Sequence, residues 1–397
     1  MKAIVLAGDC RLLMGGMDEA SIDSIVTDAP YELGFMGRSW DRTGVAYDVE
    51  TWRAALRVLK PGGMLVCFGG ARTYHRMACA IEDAGFEIRD QIMWIYGSGF
   101  PKGGNRDGKG TCLKPAHEPI VLARKPLIGS VARNEAAFGT GALNIDACRI
   151  HADDAQGGAY TVKRLKPGAT LEKTGGNWRP EDGGALYHGE MKAGRWPANV
   201  VHDGSDDVVG GFPLTTSGLM KAGTRRSAQD HPGSVCYGTF GGDAATADTY
   251  ADSGSAARFF YCAKASKADR DEGLDQFEPQ AFVAFQTQNG ASGAASSLSE
   301  GRETEYRNTH PTVKPTALMR WLVRLVTPKG GTVLDPFTGS GSTGKAAVLE
   351  GRGFVGCELT AEYLPIARAR IAAAHAAAVE EATRPTPQPD LFDTEAA

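Results

Sequence analysis

The chain has 397 residues, with 43 Lys+Arg against 47 Asp+Glu and a formal net charge of -4 at pH 7, long enough for one large domain or two ordinary ones. Its 42% hydrophobic and 23% charged residues are globular composition and exclude a chain disordered throughout. The 51 Gly exceed the roughly 7% of average usage without a G-x-y period, which excludes collagen and predicts many tight turns and long loops.

No apolar stretch approaches the roughly 18 to 20 residues that a membrane-spanning helix needs. The opening MKAIVLAGDC meets Asp9 before a signal-peptide core develops, so a cytosolic protein is expected. The eight cysteines (Cys10, Cys67, Cys79, Cys112, Cys148, Cys236, Cys262, Cys357) contain no C-x-x-C pair. They read as reduced packing residues, with neither a zinc site nor a disulfide framework.

In chain order, the apolar run Ser24–Thr27 ends at Asp28, and Trp52, Leu56 and Leu59 recur at helical spacing before Pro61-Gly62-Gly63. A buried strand is predicted at Met64–Phe68, a helix from about Arg72 to Ala84, and a strand or strand pair from Phe86 to Tyr96. That alternation is the rhythm of an α/β sheet. After His117–Ala123 the periodicity fades. Residues 129–307 are dominated by Gly, Ala, Ser, Thr and Asp and read as a loop-rich insert that must be partly folded or ordered by a ligand. Its best-ordered pieces are expected at Trp196–Val201 and Ala257–Ala263. The α/β rhythm resumes with an apolar helix at Thr316–Val326, a turn at Pro328–Gly331 and a strand at Thr332–Asp335. Beyond an alanine-rich helix the chain closes on a Pro- and acid-rich tail. The divisions expected are 1–128, 129–307, 308–378 and 379–397.

Residues 332–358 read strand, Gly-rich turn, helix, strand, acid. Gly339 and Gly341 allow close backbone approach to a ligand at a helix N-terminus, and Glu358 ends the next strand, where an acid can accept from ribose hydroxyls. The turn begins Asp335-Pro336-Phe337 rather than with glycine, lacks the third glycine of G-x-G-x-x-G, and does not place Lys345 in a phosphate-binding frame. Pyrophosphate is thereby disfavoured, and with it a dinucleotide oxidoreductase; a cofactor with adenosine and no phosphate fits better.

Near the other end, Ile25–Tyr31 is an apolar strand delivering an acid, a rigid turn and an aromatic: Asp28-Ala29-Pro30-Tyr31. This resembles the D-P-P-Y motif of the DNA amino-methyltransferases, with Ala29 in place of the first proline, and Asp335–Thr343 resembles their S-adenosylmethionine loop. His310–Pro315 before the cofactor strand, Gly8–Cys10, Leu59–Gly63, Phe68–Gly70 and Lys114–Pro119 extend the likeness to residues 1–128 and 308–371. The order of motifs is that of the β class of that family. The resemblance implies a Rossmann-like methyltransferase fold in circular order, catalytic half first and cofactor half last, with a target-recognition insert between them.

It also implies roles. Asp28 and the carbonyl of Ala29 would accept hydrogen bonds from the exocyclic amine of a base flipped out of double-stranded DNA, with Pro30 shaping the turn and Tyr31 stacking on the base. Ala29 keeps that carbonyl but loses a fixed φ and gains an N–H. Asp9 would lie near the cofactor adenine, Thr312, Lys314 and Pro315 near its methionine end, Glu358 on the ribose, and Asp335, Pro336, Phe337, Gly339, Gly341, Ser342 and Thr343 along the loop. An aspartate in first position resembles the adenine-N6 members more than the cytosine-N4 members. A non-catalytic DNA-binding regulator that keeps the fold is the alternative from another class. No metal is required.

Residues 101–200 carry 15 Lys+Arg against 10 Asp+Glu, a local positive excess in a chain of negative net charge. Lys102, Arg106, Lys109, Lys114 and Arg124 are expected to follow phosphates, and Arg38 with Ser39, Trp40 and Asp41 to form a loop that closes over the flipped base. Dimers are common in the resembled class. In the tail, Gln388-Pro389-Asp390-Leu391-Phe392 resembles the short peptides that dock on the bacterial sliding clamp through Gln388, Leu391 and Phe392.

Overall fold

The computed structural model describes residues 2–34, 39–99, 107–152, 158–164, 171–174, 177–180, 185–218, 252–264, 266, 268–281 and 305–383. Arg38, Lys102, Arg106 and the tail residues Gln388, Leu391 and Phe392 lie outside them. Two compact units are present: Met1–Ala147 with Asn199–Val208 and Cys262–Ala397, and Cys148–Ala198 with Val209–Tyr261.

The first unit is built on strands β1 (Ala3–Ala7), β2 (Ile22–Asp28), β3 (Leu59–Phe68), β4 (Glu87–Ile95) and β5 (His117–Arg124), joined by Val200–His202, Thr332–Asp335 and Gly353–Glu358. Along the sheet these eight strands run in the order β1, Gly353–Glu358, Thr332–Asp335, β2, β3, β5, β4, Val200–His202. From β1 to β3 the pairing is parallel, while β5 runs antiparallel to β3 and β4. A parallel strand is covered on both faces, so β2 is buried at six successive positions and reads as an apolar run rather than an alternation.

Helix α1 (Cys10–Gly15) follows β1; α2 (Val49–Val58) and α3 (Tyr74–Asp83) flank β3 in sequence. The Asp48 carboxylate caps α2 through the Glu50 amide, and the helix turns Trp52, Ala55 and Val58 into the core. There they join Met14, Ile25, Leu65, Ile81 and Leu334 in one buried cluster. The turn expected at Pro61-Gly62-Gly63 is instead a bulge within β3: Ile22 pairs with Leu59 and Ser24 already with Met64. The expected strand or strand pair at 86–96 is a single strand, β4, with a register shift between Ile88 and Asp90.

The compositional boundary at 129 falls inside the first unit. Helix α4 (Val131–Phe138) is tied back to the β3 bulge, because the buried Asn134 amide donates to Pro61 O and Thr140 O at 2.8 and 2.7 Å. Residues 199–208 and 262–281 also belong to this unit, so the Gly-rich stretch 129–307 is not one block. Composition misses these returns because each rests on a few side-chain anchors rather than a periodic apolar face.

Within the second unit Leu214–Ser217 pairs antiparallel with Asp252–Ser255. The Asp252 carboxylate binds Arg258 at 2.7 Å and Arg195 at 3.1 Å, and both guanidiniums lie over the Phe259 ring. Gly158–Arg164 pairs with Ala185–Met191, and Leu171–Thr174 with Asn177–Pro180. Among the described residues no helix is long and apolar enough to cross a membrane.

Candidate active site

Parallel pairing places the C-terminal ends of neighbouring strands on one edge of a sheet, and ligands of open α/β sheets bind outside that edge. Here Val333 is in register with Ser24 and Leu334 with Ile25, so Asp335 ends its strand at the same edge as Asp28, which lies two residues further along β2. The Thr27 hydroxyl donates to Asp335 Oδ1 at 2.5 Å. Above them opens a cavity of about 720 Å³ lined by both ends of the chain, Asp9 and Asp28 from one and Lys314, Phe337 and Glu358 from the other.

At the β2 side, Asp28 Oδ2 accepts from the Lys314 ammonium at 2.6 Å, while Oδ1 is buried with no hydrogen-bond partner among the described residues. Lys314 Nζ also stands 3.4 Å from Glu118, whose carboxylate accepts from the Tyr31 hydroxyl at 2.8 Å. The same ammonium lies over the Tyr31 and Phe68 rings at 5.4 and 4.9 Å. Burial alone would lower the Lys314 ammonium, but Asp28 and Glu118 outweigh it and hold it above the ordinary lysine value. Burial, with both carboxylates nearby, pushes the Tyr31 phenol well above its usual range, so it stays protonated. Ala29 is buried.

At the other side, Gly339 and Gly341 are both left-handed, with φ of 52° and 82°, and the helix Ser342–Leu349 starts directly after them. A Cβ on Gly339 would stand 2.8 Å from His310 Nε2, and one on Gly341 would stand 3.0 Å from the Ala367 backbone. Glycine is thus demanded here by protein contacts as well as by any ligand. The Glu358 carboxylate accepts from the Gly339 and Thr360 amides, both at 2.7 Å. Burial still raises it above the ordinary glutamate value. Each of its oxygens has a second lone pair for a hydroxyl. Burial pushes Asp335 up to about 6, against the Thr27 and Thr343 hydroxyls and the Phe337 amide.

The remaining expected residues divide. Asp9 caps α1 through the Arg11 amide and pairs with the Arg11 guanidinium at 2.9 Å, while lining the cavity. Phe337 meets Trp52 edge-on at 6.3 Å, so one face of it belongs to the core. Pro336, Thr312, Ser342 and Thr343 line the cavity; Pro315 precedes the helix Thr316–Val326 as its N-cap. Lys314, expected toward a methionine end, is held on the Asp28 carboxylate. Trp40 is stacked on His310 at 6.1 Å, and Asp41 is buried, accepting from the Glu32 and Leu33 amides. Arg124 is corrected: it is buried on β5 and its guanidinium grips Glu87 at 2.6 and 3.0 Å, so it is not presented to phosphate. Lys109 and Lys114 are exposed, with Lys114 donating to Gly97 O.

Sequence reasoning assigned no role to three residues of the site. Arg270 donates to the carbonyls of Asn308, His310 and Pro311 and fixes the segment that carries Lys314. Arg370, buried in the last helix, donates to Ser340 O at 2.6 Å and to Asp269 O, bracing the glycine turn. Glu118 ends up on Lys314. No local pattern marks these residues, because each acts on a carbonyl or charge distant in sequence.

A family model described as DNA methylase matches residues 22–369. The chain is 42% identical over 77 residues to the DNA adenine methyltransferase YhdJ of Escherichia coli (strain K12), covering 19% of this chain and 26% of that protein. It is 44% identical over 69 residues to the type II methyltransferase M2.DpnII of Streptococcus pneumoniae, covering 17% and 26%. The matches thus span about a quarter of the length of these relatives. Among solved structures, the cytosine-N4-specific PvuII DNA methyltransferase aligns with 96% of this chain and 93% of its own, at 13% identity and a TM-score of 0.46, a score too low to carry weight.

Proposed function

This chain belongs to the DNA methylase family, and we propose that it transfers a methyl group from S-adenosylmethionine to the exocyclic N6 amine of an adenine flipped out of double-stranded DNA. The observation that carries this reading is Asp28, which lines the same cavity as the glycine turn and Glu358 and keeps one buried carboxylate oxygen, Oδ1, without a partner among the described residues. A buried unpaired acceptor is costly unless a ligand completes it.

When bound, S-adenosylmethionine supplies an electrophilic methyl on a sulfonium. The residues that fit it are Glu358 for ribose hydroxyls, the Gly339–Gly341 turn and helix start for the body of the cofactor, and Asp9 and Phe337 along the wall. Asp28 Oδ1 would accept one N–H of the target amine and orient its lone pair. Were the amine to attack that methyl, with the S–C bond breaking and the neutral thioether leaving, the Asp28 carboxylate would stabilise the positive charge gathering on nitrogen until its proton passes to solvent. Tyr31, tethered by its hydroxyl to Glu118, offers its ring for stacking.

Adenine is favoured by the aspartate at position 28 and by a relative named as a DNA adenine methyltransferase. Incubation with unmodified genomic DNA and labelled cofactor, then digestion to nucleosides and mass spectrometry, tests activity and base together. N6-methylation of deoxyadenosine supports the reading, and N4-methylation of deoxycytidine keeps the mechanism and replaces the base. Cofactor binding without any methylation replaces the enzyme with a DNA-binding regulator.

The exposed Lys109 and Lys114 support contact with DNA phosphates, and a DNA substrate favours a cytosolic location. The sequence Gln388–Phe392 supports docking on a sliding clamp; deletion of residues 386–397 is expected to abolish clamp pull-down, and unchanged recovery would dispose of it. A second copy of the chain is the other partner expected, testable by sedimentation at several concentrations.

A further inference from the structure

Three charges meet at the inner end of the cavity: the Asp28 and Glu118 carboxylates and the Lys314 ammonium, 2.6 Å from the first and 3.4 Å from the second. Taken without Glu118, Asp28 and Lys314 are a neutral pair. A neutral pair beside the target amine would do little for a reaction that brings positive charge onto that amine, and the ammonium by itself would oppose it. With Glu118 the cluster carries one net negative charge, and the protonated Tyr31 adds none.

We propose that Glu118 is a positioning residue that sets the charge of the transfer site. It shares Lys314 with Asp28, so that Lys314 fixes Asp28 through Oδ2 without cancelling it, and Oδ1 is left to the amine. This rests on the methyltransferase reading above. The geometry behind it is direct. Lys314 is almost fully buried against both carboxylates and two aromatic rings, where an ion pair acts with little screening. Asp28 keeps one oxygen bonded and one free, a division that a mobile lysine would not maintain. Glu118 in turn is oriented by the Tyr31 hydroxyl, so one carboxylate ties the aromatic and the ammonium together.

The test is a charge-balance series in the full-length protein: Glu118→Gln, Lys314→Met, and both together. Glu118→Gln keeps an acceptor for Tyr31 and brings the cluster to zero. It is expected to lower kcat roughly 10-fold to 100-fold at saturating cofactor, with cofactor Kd by calorimetry unchanged. Adding Lys314→Met removes the charge that Glu118 balanced and returns the cluster to one net negative charge, so the double variant is expected to recover much of the lost kcat. Independently of activity, Lys314→Met alone leaves two carboxylates facing each other and should lower the melting temperature, and the double variant should raise it again. A Glu118→Gln protein with unaltered kcat, or a double variant no better than the single in either readout, overturns the proposal. If the wild-type protein transfers no methyl group, the methyltransferase reading falls, whereas the melting series still decides whether Glu118 balances Lys314.

Discussion

Gly339 turns left-handed directly against the His310 ring, so closely that a Cβ there would meet Nε2 at 2.8 Å. The ring packs edge-on against Tyr363 at 4.5 Å and is stacked with Trp40 at 6.1 Å. Gly339→Ala is therefore expected to cost about 1–2 kcal/mol of backbone strain before any clash. Its amide would also be displaced from Glu358. Cofactor titration should show binding weakened at least 10-fold alongside a lower melting temperature; wild-type affinity would show that the turn tolerates a side chain.

Asp28→Ala separates binding from transfer. The variant loses the oxygen offered to the amine, while Glu358 and the glycine turn are untouched. Methyl transfer is expected to fall at least about 100-fold, with cofactor affinity within a few-fold of wild type. Substantial residual methylation would remove Asp28 from the mechanism.

Two buried groups of the site oppose each other in acid. Burial pushes Asp335 up to about 6 from an ordinary 3.8, so its native state takes up a proton first and stability rises as pH falls through that window. Burial pushes His310 down to about 4 from 6.5, so its unfolded state takes up a proton first and stability falls over nearly the same window. Each effect is worth at most about 3 kcal/mol, and together they leave little net slope. Asp335→Asn removes the compensation. Its melting temperature is expected to exceed that of wild type at pH 7 and to drop more steeply between pH 6.5 and 4; parallel melting curves would refute this.

The basic residues are separable by salt dependence. Lys109→Ala, at an exposed position, is expected to reduce the slope of log affinity for DNA against log salt by about 1. Arg124→Met should leave that slope unchanged and cost about 1–2 kcal/mol of stability, because it strands Glu87, which is half-exposed and can rehydrate. A changed slope for Arg124→Met would restore it to the DNA surface.

The sequence alone was enough to place the strand ends carrying Asp28 and Asp335, the helix Thr316–Val326, the glycine turn and the acid after it. Each depends on chemistry contained in a short window: a run of apolar residues, a glycine that permits positive φ, a proline that ends a strand. Only the tertiary structure decided that Lys314 lies on Asp28, 286 residues away, that Glu118 shares that lysine, and that Arg124 faces Glu87 instead of solvent. Those contacts follow from the parallel register of Thr332–Asp335 beside β2 and from β5 lying antiparallel between β3 and β4, where Glu87 pairs with Arg124. A side chain's partner is set by which strands become neighbours, and that is settled by how the whole sheet buries its faces, not by the residues on either side of it in the chain.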